Sequence, residues 1–164
     1  MFLSENIDLD NVERYNLSIR ISPQNFSVLI QDSENAGSFD IQNTAFSSKS
    51  TLLANIQRII FDNSFLTDNF RKVNVVIVSQ MYEIIPKSFY EEKYAQKLYN
   101  FTHSNKGKHV LTSKLPNGNN RVLFEFDEEV YLFLMRSLYN PLFYHHSSIL
   151  TEYFEKKIRL IRFK

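Results

Sequence analysis

Apolar and polar residues alternate from Asn16 to Ile21, with Leu17, Ile19 and Ile21 on one face. A period of two predicts a strand with one buried side. Ser22-Pro23-Gln24-Asn25 then reads as a turn, because proline fixes φ and asparagine tolerates unusual φ. Phe26 to Ile30 predicts a second strand, so 16–31 forms a hairpin. A polar turn over 32–37 leads to a weaker third strand over 38–46. After Ser47-Ser48, an apparent N-cap, Leu52, Leu53, Ile56, Ile59 and Ile60 recur at helical spacing. An amphipathic helix is predicted over 49–62. Val73 to Val78 is apolar apart from Asn74 and rich in β-branched residues, which suits a strand buried on both faces.

The second half is patterned differently. Tyr82 to Pro86 reads as a short extended piece, since Pro86 pushes Ile85 away from the helical region. Ser88 with Glu91 has capping-box spacing and predicts a helix running to about Tyr99. A polar loop is expected over 101–108. Val110–Leu115 and Arg121–Phe126 flank Pro116-Asn117-Gly118-Asn119-Asn120 as a second hairpin. Asp127 is placed to cap a helix whose apolar face is Val130, Tyr131, Leu134, Met135 and Leu138. Pro141 breaks the chain, and Ser147 or Ser148 starts a last helix bearing Ile149, Leu150, Tyr153 and Phe154.

The order βββαβ, then αββαα, predicts an α/β or α+β fold with a mixed sheet. Its first five elements match the start of a ribonuclease-H-like or actin-like lobe. At 164 residues the chain suits one domain. Residues 1–15 read as a flexible acidic arm, 16–155 as a single lobe, and 156–164 as a basic tail or a truncated continuation. Charge sharpens that division. The formal net charge is +1. Yet all four charges of residues 1–13 are acidic, and all five of 156–164 are basic. The body between them is neutral; the whole-chain balance of 19 bases and 18 acids argues against nucleic acid as a partner. The chain has no cysteine, which excludes disulfides, thiol nucleophiles and cysteine-ligated metals and fits a cytoplasmic setting. Its start lacks the pattern of a signal peptide, and no apolar run approaches the ~20 residues of a membrane span.

Several stretches together resemble an uncharacterised bacterial family, domain of unknown function 3822, which is grouped with the actin-like ATPase fold. They are Leu17-Ser18-Ile19-Arg20-Ile21-Ser22 with Phe26-Ser27-Val28-Leu29-Ile30; Ile84-Ile85-Pro86-Lys87-Ser88-Phe89-Tyr90-Glu91-Glu92; Val122-Leu123-Phe124-Glu125-Phe126; and Tyr144-His145-His146-Ser147-Ser148. The resemblance implies a two-lobed architecture, of which this chain looks like the first lobe.

Candidate chemistry is sparse. In actin-like ATPases the first hairpin turn carries an acid and glycines that let backbone N–H groups approach phosphate. Residues 16–25 contain no Asp, Glu or Gly, and their one charge is Arg20. Arg20 is the weak candidate for a phosphate contact, against the plainer role of a solvated strand residue. A first-strand carboxylate for a nuclease metal pair is missing as well. No catalytic residue is therefore assigned, no cofactor is predicted, and ATPase or nuclease activity is not expected. His145 and His146 are the weak metal or acid–base candidates. Adjacent positions point apart, so helix capping or packing is the preferred role. Asp127, Glu128 and Glu129 are explained by the positive end of a helix.

The last third is crowded with aromatic residues. Leu132 and Phe133 fall off the apolar stripe assigned to their helix. With Phe143 and Tyr144 they are expected to form an interaction surface for a second lobe, a second copy or another protein. The expected function is thus a non-catalytic actin-like lobe acting by protein interaction or self-association. The alternative is a nucleotide-binding protein whose site a second lobe completes. A third reading has the basic tail touching membrane or nucleic acid.

Overall fold

The computed structural model describes residues 7–103, 109–116 and 118–162, with side chains described as far as Lys157. The regular elements in chain order are β1 (Tyr15–Ile21), β2 (Asn25–Asp32), β3 (Phe39–Ala45), α1 (Leu52–Asp62), β4 (Lys72–Ile77), β5 (Tyr82–Pro86), α2 (Ala95–Thr102), β6 (His109–Lys114), β7 (Asn120–Phe126), α3 (Glu128–Ser137), β8 (Leu142–His145) and α4 (His146–Arg162). They group into two compact units. The first holds residues up to Val76 with Glu128–Leu142, and the second Ile77–Asp127 with Phe143 onward.

The first unit is built on the strand order β3-β2-β1-β4. β1 runs antiparallel to β2, and β2 to β3. β1 and β4 run the same way: Arg71 N–H donates to the Tyr15 carbonyl and Asn74 Nδ2 to Ser18 Oγ, at equal sequence separation. The sheet is therefore mixed, and βββαβ is its chain order. Leu17, Ile19 and Ile21 are buried beside Phe26, Val28 and Ile30, as the alternation dictates. On β4, Val73, Val75 and Ile77 are buried while Asn74 and Val76 are only half-buried. The expectation of burial on both faces is thus corrected: the β-branched run fills one face, and Asn74 needs a polar neighbour on the other. Ile56, Ile59 and Ile60 of α1 and Val130, Leu134 and Leu138 of the α3 segment complete this core.

The predicted arm differs in part. Residues 1–6 lie outside the described residues. Residues 9–14 form a 3-10 helix capped by Asp8, whose carboxylate accepts from the Asp10 N–H. The Tyr15 side chain is buried, and its hydroxyl accepts from the Asp8 N–H at 3.1 Å. Arg14 pairs with Asp32. An acidic composition did not keep this stretch loose, because it is bonded to β1 and to the end of β2.

Helix starts also moved. Thr51, not Ser47 or Ser48, caps α1, accepting from the Ala54 N–H at 3.1 Å. The segment before it is held by Asn55, a buried side chain that accepts from the Ser47 N–H and donates to the carbonyls of Ser47, Ser50 and Thr51. Ser88 makes no cap: residues 87–89 and 92–94 are short 3-10 turns, and α2 begins at Ala95.

The second unit carries a three-stranded antiparallel sheet, β5-β7-β6. On one face Leu123 packs with Ala95 and Tyr99 of α2. The opposite face, with Val122 and Phe124 fully buried, meets the start of α4. Phe126 lies beside Phe143 at 6.5 Å between ring centroids. The hairpin of β6 and β7 appears as its turn residues predict, although Asn117 lies outside the described residues. β8 was not predicted; four residues after a proline carry too short a period to read.

Candidate functional site

His145 is the last residue of β8, and α4 starts at the next position. The chain places the two histidines where extended backbone turns helical, and their rings come close together although adjacent positions were expected to point apart. The rings lie 4.3 Å apart at 51°. His145 is fully buried, against Tyr82 at 4.5 Å and Phe124 at 5.2 Å. Both its ring nitrogens are engaged. Nδ1 lies 2.7 Å from the Ser147 hydroxyl and accepts from the Ser147 N–H at 3.3 Å, while Nε2 lies 3.0 Å from the Ser79 carbonyl. A carbonyl can only accept, so Nε2 carries the hydrogen and Nδ1 accepts. His145 therefore caps α4 and ties it to residue 79. Burial pushes its pKa down to about 4, and neighbouring His146 adds to the fall; the bond to Ser79 works the other way.

Two serines extend the node. Ser113 Oγ lies 2.8 Å from Ser148 Oγ and accepts from the His145 N–H at 3.5 Å, and both serines are buried. A serine–histidine pair can generate a nucleophile when the imidazole takes the hydroxyl proton and a third group steadies its charge. Here the third group is a backbone carbonyl, and His145 has no exposed surface to offer a substrate. The geometry is that of a satisfied buried polar network, which pins a helix start to a sheet. His146 is half-buried, and its Nδ1 has no hydrogen-bond partner among the described residues. Among the described residues no group of three His, Asp or Glu side chains could hold a metal ion.

A second polar cluster sits under α2. His103, at the C-terminal end of that helix, stacks on Tyr99 with centroids 4.2 Å apart and rings 7° from parallel. Its Nδ1 lies 3.7 Å from the Glu83 carboxylate. Burial, reinforced by the charges of Glu125 and Glu83, pushes the Tyr99 phenol up to about 12. Nothing in the spacing of these residues marked them as neighbours.

Arg20 is exposed on β1, opposite Ser27 of β2, on the face away from Leu17 and Ile19. The turn beside it, with Pro23 and Gln24, lines a pocket of about 240 Å³ with Phe46, Ser47, Leu52 and Asn55. The four residues expected to form an interaction surface fall in different units. On α3, Leu132 is 42% exposed, while Phe133 is half-buried with its ring edge-on to Phe61 of α1 at 5.8 Å. Phe143 and Tyr144, on β8 in the second unit, are both half-buried. A longer exposed apolar row lies on α4. Ile149, Leu150, Tyr153 and Phe154 of α4 are 42%, 49%, 55% and 56% exposed. Their helical spacing was legible in the sequence; that they face outward was not.

In the basic segment, Lys156 pairs with Glu152 at 2.6 Å and Lys157 lies over the Tyr153 ring. The rest of that predicted tail continues α4 as far as Arg162, with side chains outside the described residues. No helix among the described residues is long and apolar enough to cross a membrane.

Comparison with known proteins agrees with this architecture. A solved protein from Bacteroides thetaiotaomicron, described as having an actin-like ATPase fold and unknown function, superposes with a TM-score of 0.82 at 29% identity. The match covers 92% of this chain and 59% of that one, so the chain spans about three-fifths of its relative's length. No curated protein matches the chain. A family model matches residues 4–160, nearly the whole sequence, and the chain belongs to that family, described as "Protein of unknown function (DUF3822)".

Proposed function

We propose that this actin-like lobe is non-catalytic and works by protein interaction, self-association included. The observation that carries the reading is the outward apolar stripe of α4, with four large side chains between 42% and 56% exposed. Monomeric soluble proteins rarely leave such a row uncovered, and fully burying one large apolar side chain is worth about 1.5–3 kcal/mol. Leu132 adds exposed apolar surface on α3, and Phe133, Phe143 and Tyr144 supply half-buried aromatic rings within their own units. The first hairpin turn supports the non-catalytic half of the proposal: Ser22-Pro23-Gln24-Asn25 offers neither glycine nor carboxylate to a phosphate. The absence of cysteine suits a cytoplasmic protein.

Light scattering after size exclusion tests the interaction. The wild type should run above 19.4 kDa, alone or with a partner, and Leu150→Glu should remove the part of that mass held through α4 with its circular dichroism unchanged. A wild type that stays monomeric and captures nothing refutes the reading.

The likeness to an actin-like ATPase fold favours one alternative, a nucleotide-binding protein whose site a second lobe completes. Isothermal titration of ATP with Mg²⁺ into the longest form of the protein decides it. No heat would exclude nucleotide binding.

A further inference from the structure

We infer that β3 is a homodimerisation edge, along which two copies of this chain join their sheets by antiparallel β3–β3 pairing about a two-fold axis at Gln42. This goes beyond the proposed helical face, since it uses a different surface in the first unit.

The inference starts from the backbone. β3 is the end strand of β3-β2-β1-β4. Asp32 N–H donates to the Ser38 carbonyl and Phe46 N–H to the Gln24 carbonyl. The even-numbered residues of β3 therefore bond to β2, and Phe39, Ile41, Asn43 and Ala45 direct their N–H and C=O groups outward. Natural sheets protect such an edge with lysine, proline, a bulge, a short strand or an inward-pointing charge, and of these β3 has the last alone, Asp40 on the side of Ile30. The seven residues of β3, Phe-Asp-Ile-Gln-Asn-Thr-Ala, contain neither lysine nor proline and pair with β2 in unbroken register. Phe39 and Ile41 are 54% and 57% exposed beside this open edge.

The same strand selects its occupant. A register that pairs odd with even residues sets outward groups against inward ones and is excluded. A two-fold axis at Asp40 places two carboxylates opposite each other, which is repulsive. With the axis at Gln42 the strands overlap completely. Phe39 then meets Ala45 of the second copy, Ile41 meets Asn43, and each odd residue exchanges both backbone bonds. Asp40, the strand's only charge, faces Thr44 of the second copy, and the two carboxylates lie at opposite ends of the ladder. In this register every outward N–H and C=O of β3 finds a match and no like charges meet, as a two-fold interface requires.

Sedimentation and hydrogen exchange test this on the full chain. At about 100 µM, suited to a small and weak interface, the wild type should approach twice its 19.4 kDa mass. On dilution it should dissociate. The Ile41 and Asn43 amides should be protected at least about tenfold more at high concentration than at low. Gln42 and Thr44, already bonded to β2, should be protected equally at both. Ile41→Pro removes one outward N–H and no bond to β2, so it should give a folded monomer. Ile41→Lys should do the same and serves if the proline variant fails to fold. A monomeric wild type overturns the inference. So does a dimer whose Ile41 and Asn43 amides exchange alike at every concentration. A dimer that Leu150→Glu dissolves and the Ile41 variants do not assigns the contact to α4 and likewise overturns it.

Discussion

His145 shows how much a single residue can carry without touching a ligand. The neutral ring fills all its bonding capacity: Nδ1 accepts at the start of α4 and Nε2–H donates to Ser79. Adding a proton puts a donor where Ser147 N–H already points and charges a buried ring, which is why its pKa falls to about 4. The sign of the consequence follows from linkage. Between pH 6.5 and 4 the unfolded chain binds this proton and the folded chain does not, so stability is full above 6.5 and declines as pH falls. The loss should be on the order of 2–3 kcal/mol by pH 4. Urea unfolding across that range should show it, and His145→Asn should flatten the slope while costing about 1–3 kcal/mol at pH 7 from the lost bond to Ser79. Asn55 is a second such residue. Asn55→Ala strips the clamp from residues 47–51 and leaves buried backbone groups unpaired, so about 2–3 kcal/mol should be lost with no change in fold. The histidine pair stood out in the sequence. Its partners Ser79 and Ser113 did not, because no local pattern links positions so far apart.

Elements with a strong period were legible. Leu17, Ile19 and Ile21 announced β1, and Phe26, Val28 and Ile30 announced β2, because alternation is the direct image of a sheet with one buried face. Caps were less legible, since several hydroxyls compete for one helix start. Ser47-Ser48 lost to Thr51 because Asn55 holds Ser47 in the loop. Ser88 lost because the chain there makes 3-10 turns before α2. Thr51→Ala should therefore cost about 1 kcal/mol in urea unfolding, whereas Ser88→Ala should be close to neutral. Equal effects at the two positions would contradict these assignments. On α3, Met135 was read as core but is 43% exposed, while Val130, Leu134 and Leu138 took the buried stripe. A helical stripe says which residues share a face, not which way the face turns.

At the scale of the whole molecule, the near-neutral charge and the exposed apolar surfaces make opposite demands on an association. Contacts through α4 or the β3 edge should survive a rise in NaCl from about 0.05 to 0.5 M, because apolar burial and backbone bonds are little screened. Binding through the basic residues of 156–164 should collapse over the same range. Light scattering at the two salt concentrations separates the cases. The order βββαβ and the actin-like resemblance were readable from period and residue order, and the family match agrees with them. The sequence alone determined which residues alternate, which helix residues share a stripe, and that the first hairpin turn has no phosphate-cradling chemistry. These are properties of neighbours along the chain. Tertiary structure alone decided that the chain forms two compact units, that His145 bonds to residue 79, that the stripe of α4 faces outward and that β3 ends its sheet. Each of these depends on contacts between distant segments, which local periodicity does not encode.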